Sequence, residues 1–180
     1  KSKFVRRNAL ILEQIPNSSK SKYDLRRIKI RNATNQDIND TYNWRNDPVS
    51  RKFSIHTELI DKKNHNNWFK KNILNKDNSY FICSIDKKKI GFIRYEKNNE
   101  HSLAVSINLD PKYRNMGLGT EMLLKTQRKK KIKDKNCILY ARIKKNNIGS
   151  IKAFEKAGYS KVKELNNYYL FCNNGNHANV

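Results

Sequence analysis

Residues 103–120 and 137–159 hold the side chains whose types and spacing could do chemistry. Leu103 to Leu109 is an apolar, β-rich run. It passes through Asp110-Pro111-Lys112-Tyr113 into Arg114-Asn115-Met116-Gly117-Leu118-Gly119-Thr120, then into an apolar-periodic helix through Met122, Leu123 and Leu124. A strand that enters a glycine-punctuated turn and opens a helix is a ready anion site. The first helical N–H groups have no internal partner, and the helix dipole adds positive potential. Gly117 and Gly119 remove side chains where backbone must approach a phosphate, and Arg114 adds a fixed cation at the mouth.

The turn lacks the Gly-Lys-Ser/Thr ending of a P-loop. It also lacks the third glycine and the later acidic residue of a dinucleotide fold. The second segment begins with another apolar strand, Cys137 to Ile143. It continues as Asn147-Ile148-Gly149-Ser150-Ile151-Lys152-Ala153-Phe154-Glu155-Lys156-Ala157-Gly158-Tyr159. Asn147 can cap a helix, Ile151 and Phe154 share its inner face, and Gly158 suits the position just past its end.

In that order, the two segments resemble the cofactor motifs of the GNAT N-acetyltransferases. These are an Arg/Gln-x-x-Gly-x-Gly/Ala turn for the pyrophosphate of acetyl-CoA and a later Asn-x-x-Ala/Ser-x-x-x-Tyr/Phe-Glu-Lys helix. The resemblance implies acetyl-CoA as co-substrate and no metal. It also implies an α/β (α+β) fold: a mixed, mostly antiparallel sheet with a splayed central parallel strand pair and helices on both faces. It places Arg114, Asn115, Met116, Gly117, Leu118, Gly119 and Thr120 on the pyrophosphate. Backbone near Ile107 and Leu109 serves the carbonyl and pantetheine, with Asn147, Ser150, Phe154 and Lys156 on the pantetheine side. Many relatives have a tyrosine where this chain has Phe154. The role of protonating the departing thiolate is therefore vacant or moved: Tyr140 and Tyr159 are the nearby hydroxyls, Ser106 and His65 are candidates to relay the amine proton, and no position commands the general-base role.

The segments before the cofactor turn read Trp44-Arg45-Asn46-Asp47-Pro48-Val49-Ser50-Arg51, His65-Asn66-Asn67-Trp68-Phe69 and Ile90-Gly91-Phe92-Ile93-Arg94. They resemble the acetyltransferases of pseudaminic-acid-type pathways, which act on a UDP-linked 4-amino sugar. The implied acceptor residues are Trp44, Arg45, Asn46, Arg51, His65, Trp68 and Arg94. Arg51, His65, Trp68 and Arg94 are expected to converge on one cleft. Planar guanidiniums suit a diphosphate, and aromatic rings suit a base or a deoxy sugar face. Similar Trp-Arg-Asn-Asp text occurs in ribosomal-protein N-terminal acetyltransferases, so a peptide or small-amine acceptor is the alternative. A binding module without chemistry is the third reading.

The helical and strand patterns that position these residues run from about residue 26 to 172, one domain's worth of chain. Strands are expected at 26–31, 79–85, 90–95, 103–109, 137–143, 159–164 and 167–172. Helices are expected around 35–45 and 61–74, from the glycine turn through Met122–Leu124 to the basic run at 128–133, and at 147–157, which alternates as a layered α/β sheet does. Residues 1–25 read as a lead-in or the end of a preceding domain, and 173–180 as a flexible tail. Without a starting Met, the chain is either processed or cut from a longer one. A net charge of +23 and a pI near 10.0 are compatible with polyanion binding. The charge is spread along an Asn- and Ile-rich chain, however, and the reading is a solvated surface rather than a nucleic-acid site. The densest basic run, 128–133, sits at a helix C-terminus, where cations are favourable. No run is long enough to span a membrane. Three widely spaced cysteines in apolar strands read as reduced, buried thiols of a cytoplasmic protein. The protein is expected to be a monomer or homodimer.

Overall fold

Alternate residues of β2 (Ser79–Ile85) enter opposite hydrophobic clusters, and this divides the molecule into layers. Phe81, Cys83 and Ile85 point to one cluster, while Tyr80 and Ile82 point to the other. The same two-residue period governs β3 (Lys88–Asn99), β4 (Ser102–Leu109) and β5 (Ile138–Lys144). With β1 (Lys29–Asn32), β6 (Ser160–Glu164) and β7 (Tyr168–Asn173), these strands form a seven-stranded sheet in the order β1-β2-β3-β4-β5-β7-β6. Every neighbouring pair is antiparallel except β4–β5, which is parallel. The computed structural model describes residues 23–130 and 137–173.

On one face α4 (Leu118–Lys130) and α5 (Ile148–Lys156) cover the larger cluster. Leu118, Met122, Leu123 and Phe154 meet Ile93, Tyr95, Val105, Leu139 and Phe171 there. On the other face α1 (Ile38–Asn46) and α3 (Lys62–Ile73) bring Ile38, Trp44 and Phe69 onto Tyr80, Ile82 and Phe92. The parallel pair needs a crossover, and α4 lies in it. The β2–β3 hairpin turns on Asp86 and Lys87, both left-handed at φ 49° and 65°.

Two local readings change. A 3-10 turn, Leu25–Arg27, capped by Asp24, replaces the start of the expected first strand, which begins at Lys29. Asp47-Pro48 ends α1, and the chain immediately starts a further helix, α2 (Pro48–Phe53). Proline is compatible with a first helical position, where no N–H is needed, and Asp47 accepts from Ser50 N–H as its cap. Cys83 and Cys137 are buried, Cys172 is half-buried, and none of the three is in a disulfide. Among the described residues no helix is long and apolar enough to cross a membrane. Residues 1–22 of the expected lead-in, 174–180 of the tail and 131–133 of the basic run lie outside the described residues.

Asp37 secures the entry to α1. It is fully buried and accepts two bonds from Arg31 at 2.7 Å, one from Thr34 N–H at 2.8 Å, and faces Lys89 at 2.7 Å. Desolvation opposes the charge, but hydrogen bonds from Arg31 and Lys89 outweigh it and hold the carboxyl well below its ordinary 3.8. A depressed pKa means the stabilisation is complete above about pH 4 and is lost as the pH falls toward the native value. Asp37→Asn is expected to cost about 3 kcal/mol at pH 7. It should also flatten the acid side of a stability-versus-pH series, measured by urea unfolding. An unchanged acid limb would show that Asp37 does not set it.

Candidate active site

The parallel strands part almost as soon as they meet. β4 and β5 pair only where Ser102, Leu103 and Ala104 face Ile138, Leu139 and Tyr140. Beyond Ala104, β4 stays with β3 out to the Leu109–Gly91 pair, and β5 stays with β7 out to Lys144–Tyr168. Backbone groups of residues 105–109 that a neighbouring strand would otherwise take are thereby left for a ligand. The opening is a cleft of about 270 Å³ whose walls include Ser106, Ile107, Tyr140, Asn147, Ser150 and Phe154.

At the far end of β4, Asp110 caps a short turn at Pro111–Tyr113, and the chain then curls through Asn115 (φ 60°) and Gly117 (φ 72°). Two left-handed residues two positions apart bend the backbone sharply before α4 begins at Leu118. Leu118 is wholly buried and anchors that first turn. A Cβ at Gly117 would meet nothing within 4 Å, so the turn faces open space where an anion can approach. Gly119 lies between β4 and α5, with Leu109, Ile107 and Ala153 at 3.6, 3.7 and 3.8 Å from a Cβ placed there. Arg114, expected on a pyrophosphate, instead donates to Asp47 Oδ2 at 2.6 Å and Ser50 Oγ at 2.9 Å. It ties the phosphate turn to the cap of α2, because the Asp47 carboxylate is the nearest strong acceptor.

On the opposite lip, Asn147 Oδ1 accepts from Ser150 N–H at 3.2 Å and caps α5. The helix closes with Gly158 at φ 87°, Gly158 N–H to Glu155 O and Tyr159 N–H to Phe154 O, both 3.0 Å. Tyr159 then stacks edge-on against Phe154, centroids 4.9 Å apart. That contact buries Tyr159, and desolvation pushes its hydroxyl far above the ordinary phenol range. The expectation that it donates a proton in the cleft is corrected, since the ring is a core residue behind Phe154. Tyr140 and Ser106 do line the cleft, and Lys156 is exposed at the end of α5.

The expected acceptor residues divide into two groups. Asn46 behaves as a backbone surrogate: its Nδ2 donates to Ile60 O and its Oδ1 accepts from Ile60 N–H, both at 2.9 Å. Arg51 donates to Asn46 O at 3.2 Å and Thr57 O at 3.4 Å. Together they hold the loop 54–61 over the cleft. Trp44 is buried in the smaller cluster. His65 is also buried, 3.2 Å from Thr41 Oγ1 and packed among Tyr42, Trp68 and Phe69. Burial and then the Arg94 cation lower its pKa, so it is neutral at pH 7 and away from the cleft. The expected convergence of four residues therefore fails for His65 and Trp68, which α3 packs against the smaller cluster, and for Arg51, which is spent on loop carbonyls.

Arg45 and Arg94 do reach the cleft. Arg45 Nη2 donates to His56 O at 2.7 Å, while its buried Nη1 has no partner. Desolvation and then Arg94 lower its pKa from the usual guanidinium value. Arg94 lies over the Trp68 ring at 5.1 Å and 3.4 Å from Glu96. His56, Glu96 and Arg142 line the same cleft, and sequence reasoning missed all three. For Glu96 the signal is present in the sequence: it continues the Arg94 alternation, and β3 runs on to Asn99, past the expected end at Tyr95.

The open glycine turn and the strand-lined groove have the shapes that a pyrophosphate and a pantetheine arm need. Among the described residues no group of His, Cys, Asp and Glu could hold a metal ion. No curated protein matches the sequence. Among solved structures, spermidine N-acetyltransferase from Vibrio cholerae in complex with CoA and spermine aligns with a TM-score of 0.71 at 13% identity, over 82% of this chain and 94% of that one. A domain from Methanocaldococcus jannaschii gives 0.64 at 23%, over 81% and 96%. AAC(6')-Ib in complex with paromomycin and acetyl-CoA gives 0.67 at 14%, over 81% and 91%. At these identities the likeness is one of fold. The family model for an acetyltransferase (GNAT) domain matches residues 27–160. The chain belongs to the GNAT acetyltransferases.

Proposed function

We propose that this enzyme acetylates an amine carried by an anionic small molecule, and that the acceptor is a nucleotide-linked amino sugar of the UDP-4-amino type, met in the cytoplasm. One observation carries the reading. Arg45, Arg94 and Arg142 line the cleft against a single lining carboxylate, Glu96, and Arg45 keeps a buried donor unpaired. A polycationic amine would meet like charge there, whereas a diphosphate would supply the missing acceptor. The Trp68 ring beneath Arg94 fixes that guanidinium's plane.

In this reading, backbone N–H groups of residues 116–120 hold the pyrophosphate and the free edge of residues 105–109 holds the pantetheine arm. Asn147 and Ser150 border it, and Phe154 gives it an apolar wall. Direct transfer then needs mainly positioning, with Tyr140 as the hydroxyl available to the departing thiolate and Ser106 beside Arg94 across the β3–β4 pair.

Thiol release from acetyl-CoA should be measured against UDP-4-amino sugars, N-terminal peptides and polyamines. Turnover is expected with the nucleotide sugars and not with spermine. Arg45→Ala and Arg94→Ala should each raise KM for the sugar about tenfold or more, for a lost charge-assisted bond of about 1.5–3 kcal/mol. KM for acetyl-CoA should hardly move. Faster turnover of polyamines or peptides than of nucleotide sugars would overturn the proposal.

A further inference from the structure

We propose that Glu96 is the general base of the transfer, and that it discharges the amine proton through a second cavity on the far side of its carboxylate. Glu96, Ala104 and Tyr140 occupy one row across β3, β4 and β5, at the point where the parallel strands separate. Paired residues share a sheet face, and two strand spacings set the outer members about 10 Å apart. The small Ala104 between them leaves room for a reacting centre. A carboxylate and a phenol thus flank the apex of the cleft, one on the side of the incoming amine and one on the side of the thiolate.

Glu96 also lines an open, Asn-rich groove of about 580 Å³ between the end of α3 and the β3–β4 turn, with Asn72, Asn78 and Asn99 among its walls. The residue is therefore shared by the acceptor cleft and an open groove. Its carboxylate is held in place. Tyr80 Oη donates to Oε1 at 2.6 Å, and Arg94 approaches Oε2 at 3.4 Å. Asn78 Nδ2 meets Tyr80 Oη at 3.5 Å and continues the polar chain to the groove. The other candidates are weaker. His65 is in the core, Ser106 is a hydroxyl without a partner base, and His56 sits on the exposed loop.

The step balances as follows. The substrate ammonium gives one proton to the Glu96 carboxylate, and the resulting neutral amine attacks the thioester carbonyl. The C–N bond forms, the C–S bond breaks, and nitrogen's surplus proton ends on the thiolate, giving acetamide and CoA thiol. Glu96 then returns its proton to water in the groove. The charged and titratable groups around Glu96 are Tyr80 from β2, Arg94 from its own strand, Arg45 from α1, His56 from the loop 54–61, Tyr140 and Arg142 from β5, and Asp77, Lys97 and Glu100 from the groove.

Glu96→Gln keeps the shape and an acceptor for Tyr80, so it separates chemistry from folding. It is expected to lower kcat about 100-fold or more, change the acceptor KM less than threefold, and flatten the acid side of the kcat/KM profile. Tyr80→Phe should have a smaller effect in the same direction. The assay uses whichever amine the wild type turns over, so failure of the nucleotide-sugar proposal leaves this test intact. A wild-type kcat in Glu96→Gln, a loss confined to KM, or an acid limb abolished by His56→Gln instead would overturn it.

Discussion

Gly119→Trp is expected to abolish CoA binding, while Gly119→Ala should bind nearly as the wild type does. A Cβ at this position meets Leu109, Ile107 and Ala153 at ordinary contact distances of 3.6 to 3.8 Å, so a methyl group fits. An indole does not fit there. It must either fill the groove between β4 and α5 or lever the first turn of α4 away from the phosphate. Losing two charge-assisted N–H contacts would cost about 3–6 kcal/mol, a hundredfold weakening or more. Titration calorimetry with CoA, on protein whose thermal melt shows it folded, reads this directly. A wild-type affinity in the tryptophan variant would put the phosphate site elsewhere. The reason for glycine differs at Gly117, whose left-handed φ of 72° is strained for any side chain although the space around it is open.

The second large effect is on stability. Gly91→Val is expected to destabilise the protein by about 3 kcal/mol, or about 10 °C in Tm for a domain of this size. Gly91 has an ordinary strand conformation; what excludes a side chain is crowding. A Cβ would lie 2.6 Å from Asn108 O, 2.7 Å from Met122 Cε and 3.2 Å from Leu109 Cα. Met122 can yield, but the Asn108 carbonyl belongs to β4 and cannot move without disturbing the strand that leads into the phosphate turn. CoA affinity should therefore fall along with Tm. Gly149, with open space around its missing Cβ, is the control: Gly149→Ala should leave Tm unchanged or slightly raised. A Tm within 2 °C of wild type for Gly91→Val would show that β3 and β4 part there at little cost.

The sequence by itself determined the elements of the cofactor half, because their signals are local. A β-rich run followed by Gly-x-Gly, and an Asn cap seven residues before Phe154 in a helix closed by Gly158, depend on neighbours within a few positions. The structure has α4 starting at Leu118 and α5 capped by Asn147. Tertiary structure decided what each polar side chain does. Arg51 and Arg45 are alike in sequence, yet one is consumed by the carbonyls of Asn46 and Thr57 while the other keeps a buried donor free in the cleft. His65 and Tyr159 were candidates by type and turned out to be core residues, and Arg114 found Asp47, 67 positions away. Glu96 gained its position only from register, which sets it in line with Ala104 and Tyr140 across three strands. Such pairings join segments far apart in the chain, and their outcome rests on which acceptor or apolar surface the folded sheet brings nearest. Local periodicity holds no information about that.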